Sequence, residues 1–288
     1  MADLETMLPS DNAAALASLY AGGLYRLPAN EASVRLVDRV WAAAEEVYGG
    51  NPRTAQFRLD ETDFFARTGV LRKRFFTDPA SIADMGAVLR SHGFDPAANA
   101  CDPPRLRLIR HDGHTVEAAR AMYYGHRDTW YSNPQSMLTW WLPLHDVGAA
   151  ETFEFFPAEF GRPVANDSEI FDFDEWTQGG ESKRIGWQKR QTGLAAYPRL
   201  LEEPRGAVVP VEARRGEVVL FSAQHLHRTV RQSTGRSRLS IDFRSVRLAD
   251  ASAGGGAVNV DNRSTGSSLP RFVRFDAGGR PLQSAAVD

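Results

Sequence analysis

Three side chains set the terms for this sequence: His126 and Asp128, two residues apart in Gly125-His126-Arg127-Asp128-Thr129-Trp130, and His227, about a hundred residues downstream. On an extended strand, residues i and i+2 share a face, so His126 and Asp128 can grip one ion from one side while Arg127 turns away. Two imidazoles and one carboxylate leave coordination positions open, a ligand set that suits non-haem Fe(II) and O2. An H-x-D triplet by itself is more often a pair on a surface loop. Its weight comes from its surroundings.

The downstream histidine lies in Gly216-Glu-Val-Val-Leu-Phe-Ser-Ala-Gln-His225-Leu-His227, where a strand-like EVVLF run enters a loop that presents two histidines. Only one is needed for a three-ligand site, and His225 is read as a neighbour of the site. Arg238 follows His227 by eleven residues and opens R-L-S-I-D-F-R on the next expected strand. A guanidinium matches a carboxylate through two parallel charge-assisted bonds. Ser240, two residues on and on the same strand face, could donate a third. Iron beside a carboxylate clamp points to a 2-oxoacid co-substrate that chelates the metal and is held at its far end.

The order H-x-D, TWWLPLHDV…ETFEFFP and GEVVLF-x5-H-x10-R-x-S resembles the phytanoyl-CoA dioxygenase-like branch of the Fe(II)/2-oxoglutarate-dependent oxygenases, over roughly residues 105–250. That resemblance implies a double-stranded β-helix, a jelly roll of two sheets with the metal at one open end. It implies His126, Asp128 and His227 as iron ligands and Arg238 on the C5 carboxylate of 2-oxoglutarate. His227 is favoured over His225 because it stands six residues after Phe221, as the family's distal histidine does. The cofactor set implied is Fe(II), 2-oxoglutarate and O2, with succinate and CO2 as co-products. Related halogenases replace the carboxylate ligand with a small residue; Asp128 therefore favours hydroxylation or dehydrogenation. One departure is Gly148-Ala-Ala-Glu-Thr, where many relatives carry a glycine-rich turn.

Weaker candidates cluster near the triplet. Thr139 could meet 2-oxoglutarate or pack, and Gln135 and Asn133 could donate to the chelating end or to substrate. Tyr124 and Trp130 share the face of the His–Asp pair, Trp130 as a pocket wall or ordinary core. A non-catalytic jelly-roll binding protein and a cupin-like metal enzyme using no 2-oxoacid are the rival readings.

The elements that must position these residues change character along the chain. Residues 1–104 read as a mostly helical flank, with helices expected over Ala13–Tyr20, Ala32–Val47 and Asp78–His92 and residues 56–70 ambiguous. From Arg105 the period shortens to two, with strands expected at 105–111, Ser136–His145, Thr152–Phe156, Ala207–Val211, Glu217–Phe221 and Leu239–Val246. The fold class expected is α+β, mainly β: one domain over 1–288, with a jelly-roll core at 105–250 and a C-terminal tail at 251–288. An insert at 160–204 carries Lys183, Arg184, Lys189 and Arg190 and exposed-looking Phe171, Phe173, Trp176 and Trp187; its length suggests a lid. Residues 250–269 are Gly/Ser-rich and read as flexible. This tail could cover the site or contact a second subunit of a homodimer.

Composition bounds the rest. With 34 basic and 36 acidic residues in 288, no broad field exists to recruit nucleic acid or an anionic membrane, which leaves a small-molecule substrate. The single cysteine, Cys101, excludes an internal disulfide and any multi-cysteine zinc site. No leader or long apolar run is visible, so a cytoplasmic protein is expected.

Overall fold

A computed structural model of the chain describes residues 4–178, 197–275 and 282. Helix α1, Asn12–Tyr20, is capped by Asp11, whose carboxylate accepts from the Ala14 N–H. The chain then forms β1, Leu24–Leu27, and α2, Glu31–Tyr48. Asn30 and Ser33 form a reciprocal cap at the start of α2, and Gly49 ends it at φ 66°, a left-handed conformation that suits glycine. The ambiguous stretch resolves into a 3-10 turn and α3, Glu61–Thr77; Pro79 occupies the first turn of α4, Pro79–Ser91.

Beyond the helices lie β2 (Asn99–Ile109), β3 (Leu138–Pro143), β4 (Phe153–Phe155), a short helix α5 (Phe173–Gln178), β5 (Val209–Pro210), β6 (Val218–Ser222), β7 (His227–Thr229), β8 (Arg238–Arg247), a short helix α6 (Leu248–Ala253) and β9 (Val273–Arg274). They form one antiparallel sheet in the order β1-β6-β3-β8-β2-β9 and a second in the order β5-β4-β7. Between β3 and β8 the chain crosses repeatedly from one sheet to the other, an arrangement compatible with a jelly roll, although the sheets do not close into a barrel. The molecule is a mixture of helix and antiparallel sheet rather than mainly β. The N-terminal stretch read as a helical flank also supplies β1, whose Leu24–Leu27 pairs with Val218–Phe221.

Period-two alternation divides the large sheet chemically. Leu106 and Leu108 of β2, Trp140 and Leu142 of β3, Val218 and Leu220 of β6, and Leu239, Ile241 and Phe243 of β8 pack against α2, α3 and α4. Trp140 and Phe243 stack with ring centroids 5.7 Å apart. The opposite face carries Thr139, Arg107, Arg238, Ser240, Asp242 and Arg244. Pro103 and Pro104 interrupt the β2–β8 register between Asp102 and Arg105, because proline cannot donate to the ladder.

Just past the end of β3, His145 Nδ1 donates to the Asp146 carbonyl (2.8 Å) and Nε2 accepts from the Leu239 N–H (3.1 Å). Burial pushes its pKa down to about 4. The unfolded imidazole binds a proton near pH 6.5 and the folded one does not, so its stabilising effect is present above 6.5 and lost as pH falls toward 4. Between pH 7 and pH 5, urea titrations should show a loss of stability that is smaller by about 2 kcal/mol in His145→Gln than in the wild type. An unchanged pH slope in the variant would assign the loss elsewhere.

Candidate metal centre

His126 and His227 meet through the backbone. Each N–H donates to the other's carbonyl at 3.0 Å, an isolated antiparallel bridge that sets the imidazoles side by side with centroids 4.4 Å apart. Arg127 is extended (φ −101°, ψ 141°), which brings Asp128 back to the face of His126, but Asp128 then opens a 3-10 turn, Asp128–Tyr131. The expected strand through the H-x-D triplet is therefore one extended residue between a bridge and a turn. One ligand atom from each of His126, Asp128 and His227 lies within 4.8 Å of the others.

The local hydrogen bonds prepare these atoms for a cation. His126 Nδ1 faces the Tyr124 carbonyl at 2.9 Å and His227 Nδ1 the His225 carbonyl at 3.0 Å. A carbonyl only accepts, so each Nδ1 carries the hydrogen and each Nε2 keeps its lone pair. Burial and the neighbouring His126 push the His227 pKa down to about 4, so no proton competes there at neutral pH. Burial alone would raise the Asp128 pKa, but Arg244 and the two imidazoles hold it well below the usual carboxylate range. The donor set fits a divalent ion with open positions.

Thr139 has a partner that its sequence position did not announce. Its hydroxyl donates to Asp128 Oδ2 at 2.9 Å, orienting the carboxylate. Thr139→Val should weaken divalent-metal affinity about tenfold in a competitive chelator titration. An unchanged affinity would reduce Thr139 to packing.

Arg238 and Ser240 project from the same face of β8 and are buried, at 3% and 0% exposure. Arg238 lies over the Trp141 ring at 5.8 Å. Its Nε and Nη1 and the Ser240 hydroxyl are buried with no hydrogen-bond partner. Three unpaired polar atoms that an oxyanion would satisfy are thus held together on the face that carries Thr139.

The remaining candidates surround the three-residue cluster without joining it. Trp130 is core: fully buried with Phe156, Val164 and Leu226, it donates from Nε1 to Asp261. Asn133 donates to the Asp128 carbonyl (2.8 Å) and accepts from Ser268 (2.6 Å), so it braces the backbone beside the ligand carboxylate. No hydrogen bond ties Gln135 to the three ligands, and its carbonyl accepts from Ala257. Tyr124 lines a cavity of about 760 Å³ with Arg199, Glu154 and Arg228, its ring under the Arg199 guanidinium. His225 is buried against Phe155 and Phe160, outside the three-ligand cluster.

Phe171 and Phe173 are buried, not exposed, and Phe171 packs on Tyr131, itself edge-on to His126. Lys183, Arg184, Trp187, Lys189 and Arg190 lie outside the described residues. The Gly/Ser-rich stretch is ordered by specific bonds. Arg127, between two ligands, donates from Nε to both oxygens of Asp261 (3.1 Å), from Nη1 to the Gln224 carbonyl and from Nη2 to the Glu159 and Arg162 carbonyls. Composition gave no sign of this clamp.

No family model matches the chain, and no curated protein does. Solved structures with partial likeness include the non-haem monooxygenase ThoJ in its apo form, at 10% identity and TM-score 0.44, covering 81% of this chain and 76% of that one. The non-haem α-ketoglutarate-dependent epimerase SnoN from nogalamycin biosynthesis shows 16% identity and TM-score 0.42, covering 95% and 99%. HygX from Streptomyces hygroscopicus with nickel and 2-oxoglutarate bound shows 14% identity and TM-score 0.40, covering 86% and 95%. Likenesses this remote do not assign an activity to this chain. Among the described residues no helix is long and apolar enough to cross a membrane.

Proposed function

We propose that this chain is a non-haem Fe(II)/2-oxoglutarate-dependent dioxygenase acting on a small molecule. The observation that carries the reading is the pairing, in one fold, of a prepared His126–Asp128–His227 set with the unpaired Arg238–Ser240 donors. When bound, Fe(II) and 2-oxoglutarate supply oxidation of a substrate C–H bond by O2, coupled to decarboxylation of the oxoacid to succinate and CO2. The chain's own part is to hold and to aim. Two Nε2 atoms and the Asp128 carboxylate hold the ion, Thr139 fixes that carboxylate, and Arg238 with Ser240 binds the far carboxylate of the oxoacid. Asp128 fills the position that a halide would need, which favours hydroxylation over halogenation. The motif order and the crossing of the chain between two sheets support the phytanoyl-CoA dioxygenase-like branch and its double-stranded β-helix.

The test is anaerobic addition of Fe(II) and 2-oxoglutarate to the purified chain. A weak visible charge-transfer band of the chelate should appear, and on admitting O2 succinate should form, faster with a true substrate. Folded protein that gives neither band nor succinate would overturn the proposal.

A further inference from the structure

The face of the large sheet that carries Thr139 holds more positive charge than a metal centre and one dicarboxylate consume. Thr139 pairs with Arg244 across β3 and β8, and directly opposed residues share a face. Alternation then places Arg238, Ser240 and Asp242 there, and β2 adds Asp102, Arg105 and Arg107, opposite Arg244, Asp242 and Ser240. Four guanidiniums of these strands stand against three carboxylates, Asp102, Asp242 and Asp128; Glu151, which also acts on Arg238, is paired with Arg53 and adds no net charge. A divalent ion raises the excess from one to three, and a dianionic oxoacid brings it back to one. One positive charge is left for something else.

The hydrogen bonds show where it resides. Arg107 is engaged by both oxygens of Asp242 (2.6 and 3.1 Å). Arg244 lies within 3.3–3.8 Å of Asp102, Asp242 and Asp128. Arg105 makes a single bond, Nη2 to Asp102 at 2.7 Å; its Nε is buried without a partner and its side chain is 37% exposed. Arg105 lies opposite Asp242, four residues along β8 from Arg238, or about 13 Å at strand rise. It is therefore out of reach of the oxoacid's far carboxylate, and on the solvent-reachable part of the face.

We infer that the primary substrate carries an oxyanion group, a carboxylate or a phosphate, and that Arg105 is the residue that binds it. This rests on the 2-oxoglutarate-dependent reading of the centre. A guanidinium fork meets two oxygens of such a group while Asp102 holds its other edge. The oxyanion would satisfy the free donors of Arg105 and neutralise the last charge of the face.

The experiment uses the full chain loaded with Ni(II) and saturating 2-oxoglutarate, titrated calorimetrically with phenyl phosphate, benzoate and, as the neutral counterpart, benzyl alcohol. At least one anion should bind at millimolar concentration or below, and benzyl alcohol should not. Arg105→Gln should weaken anion binding tenfold or more, and Arg105→Lys, which keeps the charge but not the fork, by less, with 2-oxoglutarate affinity unchanged in both. Equal binding of anions and alcohol, no binding of either anion, or an Arg105→Lys and Arg105→Gln pair indistinguishable from wild type would overturn the inference. If 2-oxoglutarate itself fails to bind, the proposed function falls. The same anion titrations on the Ni(II)-loaded chain then still decide the role of Arg105.

Discussion

In an Arg238→Ala variant, the Kd for 2-oxoglutarate is expected to rise by about thirtyfold to several thousandfold while divalent-metal affinity stays within about twofold. Burial lowers the Arg238 pKa only to about 10, so the guanidinium is charged at neutral pH. Removing one partner from a buried, hydrogen-bonded charge pair costs about 2–5 kcal/mol, which sets the range. Arg238→Lys should recover part of the loss, because one ammonium cannot make two parallel bonds. A second consequence separates ligand binding from scaffolding. Without 2-oxoglutarate, Arg238 is a buried cation with Nε and Nη1 unpaired, a cost to the folded state. Arg238→Met should therefore melt no lower than wild type in the absence of 2-oxoglutarate, and should lose the rise in Tm that 2-oxoglutarate gives the wild type. A lower melting point together with intact 2-oxoglutarate binding would make Arg238 structural. Substrate oxidation that proceeds without 2-oxoglutarate and without succinate release would favour a cupin-like metal enzyme.

Local chemistry made part of this molecule legible. Asp11, Gly49 and Pro79 mark helix ends because capping and left-handed turns are decided by neighbours in sequence. The alternation in Leu239–Val246 announced a strand, but its polar residues, Ser240, Asp242 and Arg244, would ordinarily be taken for a solvent face. They face the site, because a two-sheet protein with helices on the outer face leaves its inner face free for charge. The H-x-D triplet could be read as chemistry, whereas the bridge that aligns it with His227 is a contact across about a hundred residues. The three-residue β7 carries too little pattern to bound, whereas the alternation in Thr152–Phe156 did mark β4, and β1 hid in a region dominated by helical signals. Thr139 was recognisable as inward-facing but not as a partner of Asp128, since the 3-10 turn that delivers the carboxylate has no sequence period.

The least legible element yields the other large effect. Asp261→Ala should lower Tm by several degrees or more and weaken divalent-metal binding at least tenfold. Arg127 is fully buried, and Asp261 supplies its countercharge while also accepting from Trp130 Nε1 (2.8 Å) and the Val164 N–H (3.1 Å). Breaking a buried pair from one side leaves a desolvated charge and costs about 3–5 kcal/mol, with roughly 2–4 °C in Tm per kcal/mol for a chain near this size. The metal effect follows from position: Arg127 is the extended residue that turns His126 and Asp128 to one face, so a guanidinium seeking water must rotate that backbone. Ser132, Asn133 and Gln135, just past the ligands, are tied to the same stretch through Ser264, Thr265, Ser268 and Ala257. The double variant Arg127→Met, Asp261→Leu removes both charges and should recover much of the lost stability. If it recovers stability but not metal affinity, the clamp positions the ligands. If both return together, Arg127 and Asp261 only hold the fold, and the positioning role is wrong.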